Sequence, residues 1–345
     1  MRPTDVARAC TEVALAAGRD IRTLVHAMDP LRRAEPTTSL LKPKGGYGAR
    51  RVDAEAEALG LARLEALADR LGVAIELLRD AGDAAGNASH RLGRATGAER
   101  IWAAMDAIDG TVKVAGLGPR LPDRVRLAND GGWAAAFAFT APTTAPRAAL
   151  TLGDFTTAVI VDGNPTRYRA YPQDLVTLPE DDALVTYEVT DAVPRRVFTT
   201  TATDLGQLWT YLDVFQAYDD ETAQPGDGAL GAALYPLLAD RHRGGGFDVL
   251  RQYANLSALG RMLLGWRQAP VWVESQGGAY LVVNENLPNL IPAVPILAGA
   301  GGVSVDFDGR PLRARRLAEG RTSIVHAANP AVCAAVLGLV ARARG

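Results

Sequence analysis

Residues 101–118 read IWAAMDAIDGTVKVAGLG. The apolar run from Ile101 to Met105 has the length and composition of a short buried strand, and it ends in two carboxylates, Asp106 and Asp109, followed at once by Gly110 and Thr111. Two carboxylates three residues apart, with the carbonyl of Ile108 between them, offer several hard oxygen donors within a small volume. Such a set suits Mg²⁺, which takes oxygen ligands and is commonly held by one or two carboxylates plus a substrate phosphate. Gly110 lets the backbone turn tightly, and Thr111 brings a hydroxyl and an amide that meet a phosphate if a helix starts there. The same Asp-Gly pair also serves as an ordinary turn between two strands.

Working outward, the 345-residue chain is 48% hydrophobic and 22% charged, which is enough apolar material for one large domain or two halves. A net charge of −2 gives no electrostatic reason to expect nucleic acid or a membrane surface as a partner. Lysine occurs only at Lys42, Lys44 and Lys113, each beside a candidate site motif. Cys10 and Cys333 lie in apolar helical contexts, lack metal-ligand spacing and read as core filling. The N-terminal stretch carries Asp5, Glu12 and Asp20, unlike a secretory signal, and no apolar run reaches the ~20 residues that span a bilayer, so a cytoplasmic location is expected.

Apolar spacing predicts helices over residues 4–28 and 53–71, with a Pro/Gly-rich loop or short hairpin at 29–51 between them. Val73–Asp83 reads as an apolar strand followed by a turn. Gly116–Arg126 is a proline-rich loop, and its GLG does not complete a dinucleotide fingerprint. Residues 131–198 alternate short strand-like runs (WAAAFAFT, AALTL, TAVIVDG, RYRAY, ALVTYEV, RRVFTT) with turn signals, which predicts antiparallel strands. A helix-rich stretch is expected at about 204–216, an acidic loop at 218–228 and a surface loop at 241–247. Beyond these come a helix at 251–266, strands at 271–274 and 280–283, and a closing helix at 328–344.

DAIDGT resembles the DPIDGT signature of the inositol monophosphatase superfamily, the Mg²⁺-dependent, lithium-sensitive phosphatases that include fructose bisphosphatases and nucleotide 3′-phosphatases. Further landmarks follow in family order. VDAEAEALG at 52–60 is similar to the VTxADxxAE segment, and AGAGGVSVDFDGRP at 298–311 to the EAGGxVxDxxGxP strand-turn. The helix at 251–266 resembles the family's pocket helix, with its small-residue start altered to Ala254-Asn255-Leu256.

The resemblance implies an α/β/α/β/α sandwich, with an N-terminal half near 1–200 that carries the metal motifs and a C-terminal half near 201–345 that carries the substrate pocket. It implies a phosphomonoesterase that uses Mg²⁺, or Mn²⁺ in its place, acts on a small sugar, polyol or nucleotide phosphate and assembles as a homodimer. Metal ligands would be Asp80, Asp106, the carbonyl of Ile108, Asp109 and, at the second metal, Asn289. Asp53 and Thr111 would activate the attacking water, and Gly110, Thr111, Lys113 and Lys42 would bind phosphate. Without the resemblance Asp53 reads first as a helix cap, Lys44 competes with Lys42, and Asp83 with Asp80.

This sequence departs from its relatives at several of these positions. Asp80 stands where the family has glutamate, and Asn289, after Pro288, stands where it has the aspartate of a WD pair. Asparagine keeps a capping oxygen but removes a charge from a site that holds cations by charge, and Glu285 is a nearby carboxylate. These changes open a second reading: a repurposed protein that binds a phosphorylated ligand or catalyses a different step, with little phosphatase activity.

Overall fold

The computed structural model describes residues 2–37, 50–78, 89–110, 114, 133–163, 174–181, 183–189, 194–213, 226–241, 247–250, 266–268, 271–273, 277–286 and 290–345. Its first helix, α1 (Pro3–Ala27), buries Val6, Cys10, Ala14, Ala17, Ile21 and Val25, one stripe of a 3.6-residue period. Within the expected loop the chain makes a short α2 (Pro30–Arg33), capped by Asp29, whose Oδ1 accepts from the amide of Leu31 at 2.8 Å. Helix α3 (Arg51–Leu71) ends at Gly72, which takes a φ of 65°, and turns directly into the first strand.

One sheet has eight strands in the order β2-β1-β3-β4-β5-β6-β7-β8. They are β1 (Ala74–Leu78), β2 (Ser89–Leu92), β3 (Arg100–Asp109), β4 (Ala134–Thr140), β5 (Phe155–Asp162), β6 (Asp174–Glu180), β7 (Ala183–Val189) and β8 (Arg195–Arg196). Only β1 and β3 pair in parallel; the other neighbours are antiparallel. The second sheet orders its five strands β10-β9-β13-β15-β14. Its strands are β9 (Trp209–Asp213), β10 (Phe247–Leu250), β13 (Gly277–Asn286), β14 (Val303–Asp306) and β15 (Arg321–Ala327), and a separate pair joins β11 (Trp266–Gln268) to β12 (Val271–Val273). Among the described residues the remaining α-helices are α4 (Asp227–Ala239), α5 (Ala293–Gly299) and α6 (Pro330–Arg344).

Three apolar clusters arrange these elements in five layers. Helices α1 and α3 cover one face of the eight-stranded sheet through Ile21, Leu64, Leu67, Phe137, Phe139 and Val161. Helices α4 and α6 cover the far face of the five-stranded sheet through Leu234, Leu238, Leu281, Val325 and Val336. Between the sheets lies α5, packed on β5, β6, β7 and β14, in a core that joins Trp102, Ala136 and Ala138 to Tyr280, Val282 and Ile324. The architecture is therefore the α/β/α/β/α sandwich. Strand β4, AAAFAFT, is buried at every position because it has a layer on each side. No helix among the described residues is long and apolar enough to cross a membrane.

Several sequence expectations are corrected here. Residues 204–213 do not form an α-helix: a 3-10 turn at Leu205–Gln207 leads into β9, and 214–216 lie outside the described residues. Leu, Gln and Trp favour helices weakly, but Thr210 and Leu212 alternate with Tyr211 and Asp213 across a sheet, and packing overrides propensity. AALTL forms two 3-10 turns rather than a strand. Helix α4 was not anticipated; it contains Pro236 and links the parallel strands β9 and β10. The RYRAY run, the 116–126 loop and nearly all of the 251–266 helix lie outside the described residues. Cys10 and Cys333 are buried free thiols in the two outer cores, as expected.

Two polar contacts inside these layers carry measurable consequences. Asp174, only 3% exposed, accepts from Arg19 Nε and Arg22 Nη1, each at 2.8 Å, and so ties α1 to β6. Asp174→Asn removes the charge that both guanidinium groups face, and is expected to cost about 3 kcal/mol in urea unfolding. His326 is 1% exposed on β15, with Nδ1 2.7 Å from Ser304 Oγ, and burial pulls its pKa down to about 3. Because the unfolded chain binds this proton near pH 6.5 and the native protein does not, stability is retained above pH 6.5 and falls as pH drops toward 3. A His326→Gln variant should lose up to about 1.4 kcal/mol per pH unit of that slope, read from urea curves between pH 6.5 and 5.

Candidate active site

Successive residues of a strand face opposite sides, so carboxylates three apart ordinarily point to opposite faces. Strand β3 escapes this with a bulge: Asp106 pairs with Ala136 and Asp109 with Ala134, so three steps on β3 match two on β4. The core clusters bear this out. Trp102 and Ala104 lie in the inter-sheet core, Ala107 and Ile108 both lie in the outer core, and the register puts Asp106 and Asp109 together on the inner face. Asp106 Oδ1 accepts from the amide of Ile108 at 3.2 Å, which holds the bulge. Gly110 then takes a φ of 106°, and the amide of Val114 donates to its carbonyl at 3.3 Å. The strand thus runs through Asp106 and ends on Asp109, the acids closing it as expected.

A second bulge sits across the inter-sheet layer. On β13, Val282 pairs with Ile324 and Glu285 with Thr322, again three steps against two. Without the extra residue Glu285 would face α4 and α6; with it, Glu285 shares the inner face with Tyr280 and Val282. The inserted kink is Asn284, at a φ of 60°. Arg321 pins it, Nη2 donating to its carbonyl at 2.8 Å and Nε to its Oδ1 at 3.1 Å, and its amide donates to Ser323 Oγ at 3.0 Å. Glu285 is 2% exposed.

Tyr280 links the two bulges. Its hydroxyl donates to Asp213 Oδ2 at 2.9 Å, and Asp213 closes β9 on the same inner face, paired with Val282. The phenol pKa is raised well above its usual value, first by burial, then by the charge and hydrogen bond of Asp213, then by the charges of Asp109 and Glu285. Carboxylates from β3, β9 and β13 therefore act on one buried hydroxyl.

Asp53 reaches the same end of the sheet by topology. Helix α3 runs into β1 through a tight turn, so it lies antiparallel to β1 and to β3, which is parallel to β1. Gly60 presses on β3, where an added Cβ would lie 2.5 Å from Met105 Sδ. From that contact Asp53 lies about 10 Å along the helix, and Asp109 about 13 Å along the strand, in the same direction. Asp53 is 4% exposed, and its Oδ2 accepts from the amide of Arg50 at 2.9 Å, so it caps α3.

The described residues thus place Asp106, Ile108, Asp109 and Gly110 on one strand end, Glu285 on the facing sheet and Asp53 at the same sheet end. Lys42, Asp80, Thr111, Lys113 and Asn289, with the competitors Lys44 and Asp83, lie outside the described residues. Sequence reasoning missed Asp213, Tyr280 and Glu57, the last a buried carboxylate one turn beyond Asp53. An aspartate closing an apolar run was the signal for Asp213, hidden when that run was read as helix. Among the described residues no three His, Cys, Asp or Glu side chains already stand together as a metal cage. The donors on the inner face are nonetheless carboxylate oxygens, the chemistry of a hard divalent cation, and a cation would relieve their mutual repulsion.

No protein-family model and no curated protein matches the sequence. Solved structures do match. The chain is similar to the Thermotoga maritima IMPase with a TM-score of 0.59 at 12% identity, over 96% of this chain and 97% of that one. The holo form of Leishmania major fructose-1,6-bisphosphatase gives a TM-score of 0.59 at 10% identity, over 98% and 93%. Inositol monophosphatase from Anabaena gives 0.55 at 14%, over 96% and 95%.

The strained Asn284 offers a test of the second bulge. Asn284→Val puts a β-branched residue at positive φ and should cost about 2 kcal/mol in chemical denaturation, whereas Asn284→Gly should cost less than half as much.

Proposed function

From a chain with the fold of the inositol monophosphatases and fructose-1,6-bisphosphatases, we infer a metal-dependent phosphomonoesterase acting on a small phosphorylated sugar, polyol or nucleotide. The observation that carries this is the paired bulges, which turn Asp106 and Asp109 on one sheet and Glu285 on the other onto the same inner layer.

Asp106, Asp109 and Glu285 would hold Mg²⁺ or Mn²⁺, with Asp80 and the carbonyl of Ile108 as further ligands and Asn289 as a neutral one. When bound, the cation polarises the phosphoryl oxygen and lowers the pKa of a water. The chain's own groups do the rest. Asp53, with Thr111, orients the attacking water and takes its proton. The amides of Gly110 and Thr111 bind phosphate oxygens at a helix start, and Lys42 and Lys113 add positive charge beside them. Positioning and charge neutralisation supply most of the catalysis in phosphoryl transfer, so carboxylate placement governs the rate. Glu285, delivered by its bulge, makes good the charge that Asn289 lacks. The protein is expected to act as a homodimer in the cytoplasm.

The test is phosphate release from inositol, hexose, pentose and nucleotide phosphates with and without Mg²⁺ or Mn²⁺, beside calorimetric metal titration. Asp106→Asn should abolish metal binding and lower release by at least about a thousand-fold, and Glu285→Gln should weaken metal binding about ten-fold or more. Metal binding that survives Asp106→Asn would sink the site assignment. A folded protein that binds metal but releases phosphate from no compound would favour the repurposed reading, to which the substitution at Asn289 points.

A further inference from the structure

The bulge on β13 is gripped from the neighbouring strand β15. Asn284 is the residue it takes in, at a φ of 60°, where asparagine is tolerated and most side chains are strained. Two side chains of β15 meet it. Arg321 directs its fork at both oxygens, Nη2 to the carbonyl at 2.8 Å and Nε to Oδ1 at 3.1 Å. Ser323 Oγ accepts from the amide at 3.0 Å, so amide, carbonyl and side chain are all engaged. Arg321 and Ser323 flank Thr322, the residue paired with Glu285. The clamp therefore closes on the step immediately before the carboxylate, and Asn284 and Glu285 are only 4% and 2% exposed.

We propose that Arg321 is a positioning residue: by clamping Asn284 at positive φ it turns Glu285 onto the inner layer, where Glu285 would meet the divalent cation. This rests on the metal-dependent phosphatase reading and adds to it the residue that sets cation affinity. The backbone at Asn284 has an extended alternative free of strain, and a strand without the extra residue carries Glu285 on the outer face. The bulged state is selected by hydrogen bonds fitted to it, those from the guanidinium being charge-assisted. Lysine, a single point donor, does not reproduce the fork. Mg²⁺ demands near-ideal octahedral ligands whereas Ca²⁺ tolerates displaced ones, so a loosened Glu285 weakens Mg²⁺ binding more than Ca²⁺ binding. The sign of the effect separates position from charge. Arg321 is itself a cation, and if it acted by charge alone its removal would strengthen the binding of another cation. Acting by position, its removal weakens that binding.

The experiment is calorimetric titration of Mg²⁺ and Ca²⁺ into the full chain, as wild type, Arg321→Met, Arg321→Lys, Ser323→Ala, Glu285→Gln and the double variant Arg321→Met with Glu285→Gln. Arg321→Met should weaken Mg²⁺ binding about ten-fold or more, the usual effect of removing a group that orients a metal ligand, and Ca²⁺ binding by less. Arg321→Lys keeps the charge and should recover only part of the loss. Ser323→Ala, which removes no charge, should shift affinity in the same direction. In the Glu285→Gln background, Arg321→Met should change Mg²⁺ affinity by less than about two-fold, because its effect passes through that carboxylate. Unchanged or tighter Mg²⁺ binding in a folded Arg321→Met overturns the proposal, as does an equal loss with and without Glu285. If Arg321→Met fails to fold, Arg321→Lys and Ser323→Ala decide, and wild-type Mg²⁺ affinity in both overturns it. A wild type that binds neither ion overturns the metal reading and this inference with it. Binding that Glu285→Gln weakens and Arg321→Met leaves intact overturns this inference alone.

Discussion

The strict alternation of side chains along a β-strand is the constraint from which the arrangement of this site follows. Acidic residues three apart cannot share a face unless the strand takes in one extra residue. Both sheets do so at their site ends, β3 between Asp106 and Asp109 and β13 between Val282 and Glu285. Each insertion leaves the apolar side chains before it in register with their core and re-aims the residues that follow, beginning with the carboxylate. The cost is local: a distorted ladder in one case, an asparagine at positive φ in the other. Each is met by hydrogen bonds, from the Ile108 amide to Asp106 and from Arg321 to Asn284.

The inter-sheet layer is consequently apolar around α5 and polar at one end. Its buried polar groups are handled in different ways. Asp306 accepts from Arg315 Nη1 at 2.8 Å and from the turn amides of Asp308 and Arg310, so its charge is structural. His326 is kept neutral beside Ser304. Asp213 takes a hydrogen bond from the Tyr280 phenol, which orients it. Asp174 with Arg19 and Arg22 fastens two layers together as an ion pair.

How much could be read from the chain varied with how local the cause was. The helices at α1, α3 and α6 were legible because each carries a clear apolar stripe, and β4 and β5 because their apolar runs end in turn signals. Strand β9 was misread because five residues are too few for a period to declare itself, and α4 because it is apolar all round and holds a proline. Asp106 and Asp109 stood out as a pair, and the strand-turn after α5 matched its expected pattern. Tyr280 and Asp213 did not, since they lie 67 residues apart and neither is unusual alone.

By itself the sequence determined the strand and acids at 101–109 and the helices α1, α3 and α6, because these depend on neighbours a few residues away, while the layered class followed from the resemblance of its motifs to a known family. It also set hard oxygen donors, two carboxylates with a carbonyl between them, side by side before Gly110. Only the tertiary structure decided which face each acid takes, because a single inserted residue reverses every side chain beyond it and leaves no mark in composition. It alone showed that Glu285 and Asp213 converge with Asp109 on one buried phenol. That convergence depends on how the two sheets pack across the central layer, which no local pattern encodes.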